Sequence, residues 1–153
     1  MPHHPTRLIP LLLLAGTTLP ALAAPECVAP ATLVFQCLTA KGKQIQVCDS
    51  GKTIDYSFGK PQAAPEIVVR APRGEVSTFQ WQGIGRYMTY ALDIPNGNTV
   101  YSVTWSVDKM APDQGPEAGV DVEVNEKHVA SVKCARNGRI IQAIEGMDVK
   151  PRN

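Results

Sequence analysis

The stretch RYMTYALDIPNGNTVYSVTWSV, residues 86–107, decides the fold class. Apolar and polar side chains alternate along both of its halves with the period of a β-strand, and Asn96-Gly97 between them favours a tight hairpin turn. Folding the chain there pairs Leu92 with Tyr101, Tyr90 with Val103 and Met88 with Trp105, every pair apolar. The opposite face carries Tyr87 with Ser106, Thr89 with Thr104 and Ala91 with Ser102, and is mostly polar. This register sorts both strands at once, and a slip by one residue would turn the apolar set outward.

The same pattern extends in both directions. Downstream, Val120, Val122 and Val124 alternate with Asp121 and Glu123 before a turn at Asn125-Glu126-Lys127 and a strand from His128 to Cys134. A two-residue turn would oppose the valines to Lys127, Val129 and Ser131. A three-residue turn opposes them to His128, Ala130 and Val132, the more apolar set, and is preferred. A further turn at Asn137-Gly138 is expected to bring Ile141 opposite Cys134 and Ala143 opposite Val132, which extends the meander to Glu145. Upstream, 33–39, 44–48, 53–58, 66–70 and 77–81 are strand-length, rich in β-branched or aromatic residues and bounded by Gly or Pro. Irregular loops are expected at 59–65 and 109–119. Helical periodicity is missing from any stretch long enough for a stable helix. The expected fold is all-β, an antiparallel meander closing into a small barrel or a sandwich and stabilised by disulfides.

The first residues set the compartment. Arg7 precedes the apolar run Leu8 to Leu14, and Ala21-Leu22-Ala23 places small residues where a signal peptidase reads. A signal peptide is expected over residues 1–23, followed by a single all-β domain over 24–153 with a periplasmic or secreted address. The apolar run is shorter than the about 20 residues of a transmembrane helix, so no membrane span is expected. A soluble domain is favoured over an outer-membrane barrel, because the best hairpin has one polar face and the chain ends in Lys150-Pro151-Arg152-Asn153. All four cysteines, Cys27, Cys37, Cys48 and Cys134, lie after the leader and read as two disulfides. Their pairing stays open. A turn at Gly42-Lys43 would set Cys37 opposite Cys48, whereas closure of the fold would join Cys27 or Cys37 to Cys134.

Losing Arg7 leaves 14 basic against 14 acidic residues, with no run of like charge. That balance gives no case for a nucleic-acid partner. His128 is the one histidine after the leader, and its place at a strand start suggests a surface residue rather than a catalytic base. No nucleophile elbow, zinc spacing or calcium loop occurs, so neither enzyme activity nor a cofactor is expected. Asp121 and Glu123 share the face opposite the valines and read as an exposed polar strand face. Gly83-Ile84-Gly85-Arg86 lacks the helix that a phosphate-binding loop needs, so its glycines read as a chain reversal. Around that reversal Trp81, Gln82, Arg86 and Tyr87 form a mixture typical of binding hot spots, and these four are the candidate binding residues. Phe79 and Trp81 alternate as core residues would, which gives Trp81 a structural role as well.

Phe35-Gln36-Cys37, Gly42-Lys43, Val47-Cys48, Tyr56-Ser57-Phe58-Gly59 and Val124-Asn125-Glu126-Lys127 leading to Cys134 resemble small uncharacterised exported proteins of Gram-negative bacteria. The resemblance covers residues 35–134 and implies a periplasmic address and a β fold. A further similarity, confined to the Phe-x-Cys strand, the hairpins and the late cysteine, is to periplasmic lysozyme inhibitors of the membrane-bound and C-type-inhibiting family. It implies a small antiparallel barrel. Their Ser-Gly-x-x-Tyr recognition motif has as its nearest match Asn96-Gly97-Asn98-Thr99-Val100-Tyr101, and no inhibitory residue carries over. The expected function is recognition of a protein or cell-envelope component through loops on a rigid scaffold. A structural envelope component and a hydrolase are the alternatives.

Overall fold

The computed structural model describes residues 1 and 27–152. Apart from Met1, the leader expected at 1–23 lies outside the described residues. The described residues are all-β apart from one short 3₁₀ turn, Pro112–Gln114. Among the described residues, no helix is long and apolar enough to cross a membrane. Four strands, β1 (Thr32–Leu38), β2 (Gln44–Asp49), β3 (Thr53–Gly59) and β4 (Ile67–Pro72), form an antiparallel meander. The chain then builds a second meander from β5 (Ser77–Gln80), β6 (Tyr87–Asn96), β7 (Thr99–Asp108), β8 (Glu117–Val124) and β9 (Lys127–Lys133). Two short strands finish the sheets: β10 (Ile141–Gln142) pairs with β1, and β11 (Lys150–Pro151) runs parallel to β5.

The sheets have the orders β10-β1-β2-β3-β4 and β11-β5-β6-β7-β8-β9, so the architecture is a sandwich and not a closed barrel. Alternation within each strand sends Phe35, Ile45, Val47, Ile54, Tyr56 and Val69 inward from one sheet, against Leu92, Ile94, Val103 and Val120 of the other. Each such burial is worth about 1.5–3 kcal/mol, which is why the alternation dictates the packing. Tyr56 stacks on Tyr101 across the interior at 4.8 Å, and its burial pushes the phenol well above the ordinary tyrosine range. Fully buried Ile144 closes the core from the segment between β10 and β11. Gln80 fastens that segment, donating to the Ile144 carbonyl at 2.9 Å and accepting from Gly146 N at 3.0 Å.

Several expected registers are corrected. In the β6–β7 hairpin Leu92 pairs with Val103, Tyr90 with Trp105 and Met88 with Val107, two residues away from the register centred on Asn96-Gly97. An even slip keeps both faces sorted and adds the pair Ile94–Tyr101, so apolar contact increases at no cost to the pattern. Gly97, at φ 61°, becomes the first central residue of the turn, the position where a type II′ turn requires glycine.

Between β8 and β9 the turn has two central residues, Asn125 and Glu126, both at positive φ. Val129 is then an extra residue that moves the pairing into the register expected from a three-residue turn, Val122 with Ala130 and Val120 with Val132. The third expected pairing fails. Beyond Cys134 the chain leaves the meander, and Ile141 and Gln142 pair with Gln36 and Phe35 in the other sheet. Completing that short edge satisfies β1, which a third hairpin strand could not do. Phe79 faces outward and is exposed, because Val76 and Thr78 are the inward positions of that segment. The loop expected over 109–119 ends early, at Glu117.

The disulfides are Cys27–Cys48 and Cys37–Cys134. The β1–β2 register sets Cys37 opposite Ile45, which removes Cys48 as its partner. Cys48 points to the outer face and ties down the segment before β1, while Cys37 reaches the end of β9 and joins the two sheets.

Candidate functional site

The strand directions of the second meander place its connections at two ends. At one end the two hairpin turns touch, with Asn125 N donating to the Asn98 carbonyl at 2.9 Å. At the other end lie the β5–β6 loop, 81–86, and the β7–β8 loop, 109–116. All four candidate binding residues sit there.

Trp81 is half-buried against the core and anchors its own loop, its indole N–H donating to the Ile84 carbonyl at 2.9 Å. Gln82 is exposed and donates to the Gln80 carbonyl at 3.0 Å, so its amide is spent on holding the loop. Arg86 is exposed and grips Asp108, with Nε 2.8 Å from Oδ1 and Nη2 2.5 Å from Oδ2. The fork holds the Asp108 carboxyl below the usual carboxylate range and raises the guanidinium further. Tyr87 begins β6 beneath the Arg86 guanidinium, which lies 5.4 Å from its ring centre.

Asp108, Lys109 and Met110 escaped the sequence reading. Asp108 Oδ1 also accepts from Met110 N at 2.9 Å, and Lys109 N donates to the Arg86 carbonyl at 3.0 Å, so the two loops are joined through backbone and side chain. The Lys109 ammonium lies 4.5 Å from the Trp81 ring centre. The hairpin register held the signal for this arrangement. In the observed pairing Tyr87 lies opposite Asp108, next to Arg86, whereas the expected slip placed Tyr87 opposite Ser106.

On this base stand Ile84 at 85 % exposure, Met110 at 77 % and Tyr87 at 55 %. Beside them is a cleft of about 150 Å³ lined by Tyr87, Ser106, Asp108, Gln114, Glu117 and Arg136. Arg136 Nη2 lies 3.8 Å from Glu117 Oε1, so charges of both signs face the opening. Small-molecule sites occupy about 300–1,000 Å³, whereas this cleft has room for an inserted side chain.

A second polar group lies on β8 and β9. Ser131 Oγ donates to Asp121 Oδ1, and His128 Nε2 sits 2.8 Å from the same hydroxyl. With the serine proton directed at Asp121, Nε2 is the donor to Ser131 Oγ and cannot take a proton from it. Asp121 approaches this same nitrogen, at 3.7 Å. A catalytic triad needs serine and carboxylate on opposite ring nitrogens, and this arrangement does not provide that. Among the described residues, no group of three or more His, Cys, Asp or Glu is placed to hold a metal ion. Against protein-family models, curated proteins and solved structures, the chain finds no match.

Proposed function

We propose that this chain is an exported recognition domain that binds a protein or cell-envelope component through the loop end around Arg86 and Tyr87, without catalysis of its own. The observation that carries this reading is the fastening of the two loops. The Arg86–Asp108 fork and Lys109 over Trp81 leave Ile84, Tyr87 and Met110 displayed on a base that is already ordered. Preordered aromatic and apolar side chains beside an arginine bind with a smaller loss of conformational entropy. A cleft of side-chain size supports a macromolecular partner over a metabolite. Two disulfides support an oxidising compartment, periplasmic or secreted.

Capture from periplasmic and envelope extracts tests the reading, comparing the immobilised mature protein with an Ile84→Ala, Arg86→Glu, Tyr87→Ala variant of unchanged circular dichroism. A discrete partner that the variant loses is the expected result. Equal retention by both proteins would remove the loop end from the proposal. Lysozyme rates measured with and without the protein decide the inhibitor version, which fails if every lysozyme type is unaffected.

A further inference from the structure

We propose that the free edge of β9 receives an extended acidic segment of a partner protein, which adds to the six-stranded sheet as a further strand. This site is separate from the loop end and does not rest on the function proposed for it.

The backbone supplies the first part of the argument. β9 ends its sheet and pairs with β8 alone. Cys134 N donates to the Ala118 carbonyl at 2.9 Å, and the antiparallel register continues from that pair. Val132 and Ala130 therefore direct their backbone groups toward β8, while Ser131 and Lys133 direct theirs away from it. Among the described residues, no strand takes up this second set along β9. One residue further on, the same side is occupied, since Ala135 N donates to the Leu38 carbonyl at 2.7 Å and Thr39 bridges Cys134. The end of β1 thus begins to pair with this edge. It is then carried away by the turn that Thr39 and Lys43 close, with Thr39 N donating to the Lys43 carbonyl at 2.8 Å.

The departure of β1 leaves a cleft of about 320 Å³ beside the edge. Phe58 and Val132, both packed against the core, supply its apolar surfaces. Lys41, Lys43 and Lys133 supply three ammonium groups. Lys43 lies 5.2 Å from the Phe58 ring centre and meets Glu66 at 2.6 Å. Neither β9 nor the 39–43 turn contains an acidic residue. Of the carboxylates around the edge, Glu66 is engaged by Lys43, Asp121 on β8 is held by the Ser131 hydroxyl, Glu123 pairs opposite His128, and Glu126 lies in the turn before β9.

Charge chooses the occupant. Lysines and bulges commonly guard sheet edges, and β9 carries Lys127, Lys133 and the bulge at Val129. Antiparallel pairing of two copies about Ala130 would set Lys127 of one against Lys133 of the other. An acidic strand meets the same cations with opposite charge. Strand addition draws affinity from main-chain hydrogen bonds and specificity from pockets for alternate side chains, so the occupant alternates acidic with apolar residues.

The probes are a blocked peptide of alternating Glu and Val, its Lys and Val counterpart, and two forms of the acidic peptide N-methylated on one or the other alternating set of residues. Amide exchange of the mature protein is followed by NMR. The acidic peptide should slow exchange at Ser131 and Lys133 by about tenfold or more. One N-methylated form should fail to bind while the other binds. A Lys41→Glu, Lys133→Glu variant should lose the acidic peptide and gain the lysine one. The proposal is overturned if millimolar acidic peptide leaves both amides unprotected, or if neither N-methylation matters. It is also overturned if both amides are already protected in a peptide-free dimer seen by analytical ultracentrifugation.

Discussion

Both sheets are meanders finished by a short strand from the far end of the chain, Lys150–Pro151 beside β5 in the six-stranded sheet and Ile141–Gln142 beside β1 in the five-stranded one. Only in the five-stranded sheet does that closure fall on a cysteine-bearing strand. Cys37 lies in β1 and Cys48 in β2, while no strand of the six-stranded sheet contains a cysteine. Hairpins close short loops and need little help. Joining β1 to segments beyond β9 closes a long one, and covalent linkage removes much of that entropic cost from the unfolded chain.

The strongest way to break this contrast is to remove the Cys37–Cys134 bridge. Its partners are 97 residues apart, for which the chain-entropy relation gives about 4–5 kcal/mol of stabilisation. A Cys37→Ala, Cys134→Ala variant should lose about that much in urea denaturation. Hydrogen exchange should show β1 and β10 opening ahead of the β6–β7 hairpin. Equal loss of protection in both sheets would show that the two are one cooperative unit. The Cys27→Ala, Cys48→Ala variant should lose less, about 3 kcal/mol for a separation of 21 residues, measured by the same unfolding curves.

Within the six-stranded sheet the effects are those of packing. Ile94 is fully buried, and Ile94→Val should cost about 1 kcal/mol. The cost should be unchanged when the Cys37–Cys134 bridge is absent, as expected for distant independent sites. A double-mutant cycle that departs from additivity would couple the hairpin to the covalent closure.

The smallest effect belongs to the Arg86–Asp108 fork, which is solvent-exposed. Because Asp108 titrates below its ordinary range when folded, its contribution to stability is present above the unfolded value near pH 4 and is lost as the pH falls through the lowered folded value. The difference in denaturation midpoint between the wild-type protein and Arg86→Ala should therefore be seen at neutral pH. It should shrink in acid, and a difference independent of pH would assign the effect to loop packing instead.

The comparison also explains what could be read in advance. The β6–β7 and β8–β9 hairpins were legible because Val120, Val122, Tyr90 and Leu92 fall on a period of two and their turns are local. The register of its best hairpin was not, because an even slip keeps the same faces inward and only the extra Ile94–Tyr101 pair distinguishes the two solutions. At the loop end, composition singled out Trp81, Gln82, Arg86 and Tyr87. It could not supply Asp108 and Lys109, whose roles depend on that register and on the meeting of two loops.

The sequence by itself determined an all-β chain, its strand segments, two disulfides and a loop of binding composition, since each is written in residue type and short-range spacing. Only the tertiary structure decided the cysteine pairing, the sandwich over the barrel, the return of Ile141–Gln142 to β1 and the open edge of β9. Those features depend on which distant segments compete for the same backbone groups and the same buried space, and periodicity within a segment carries no record of that competition.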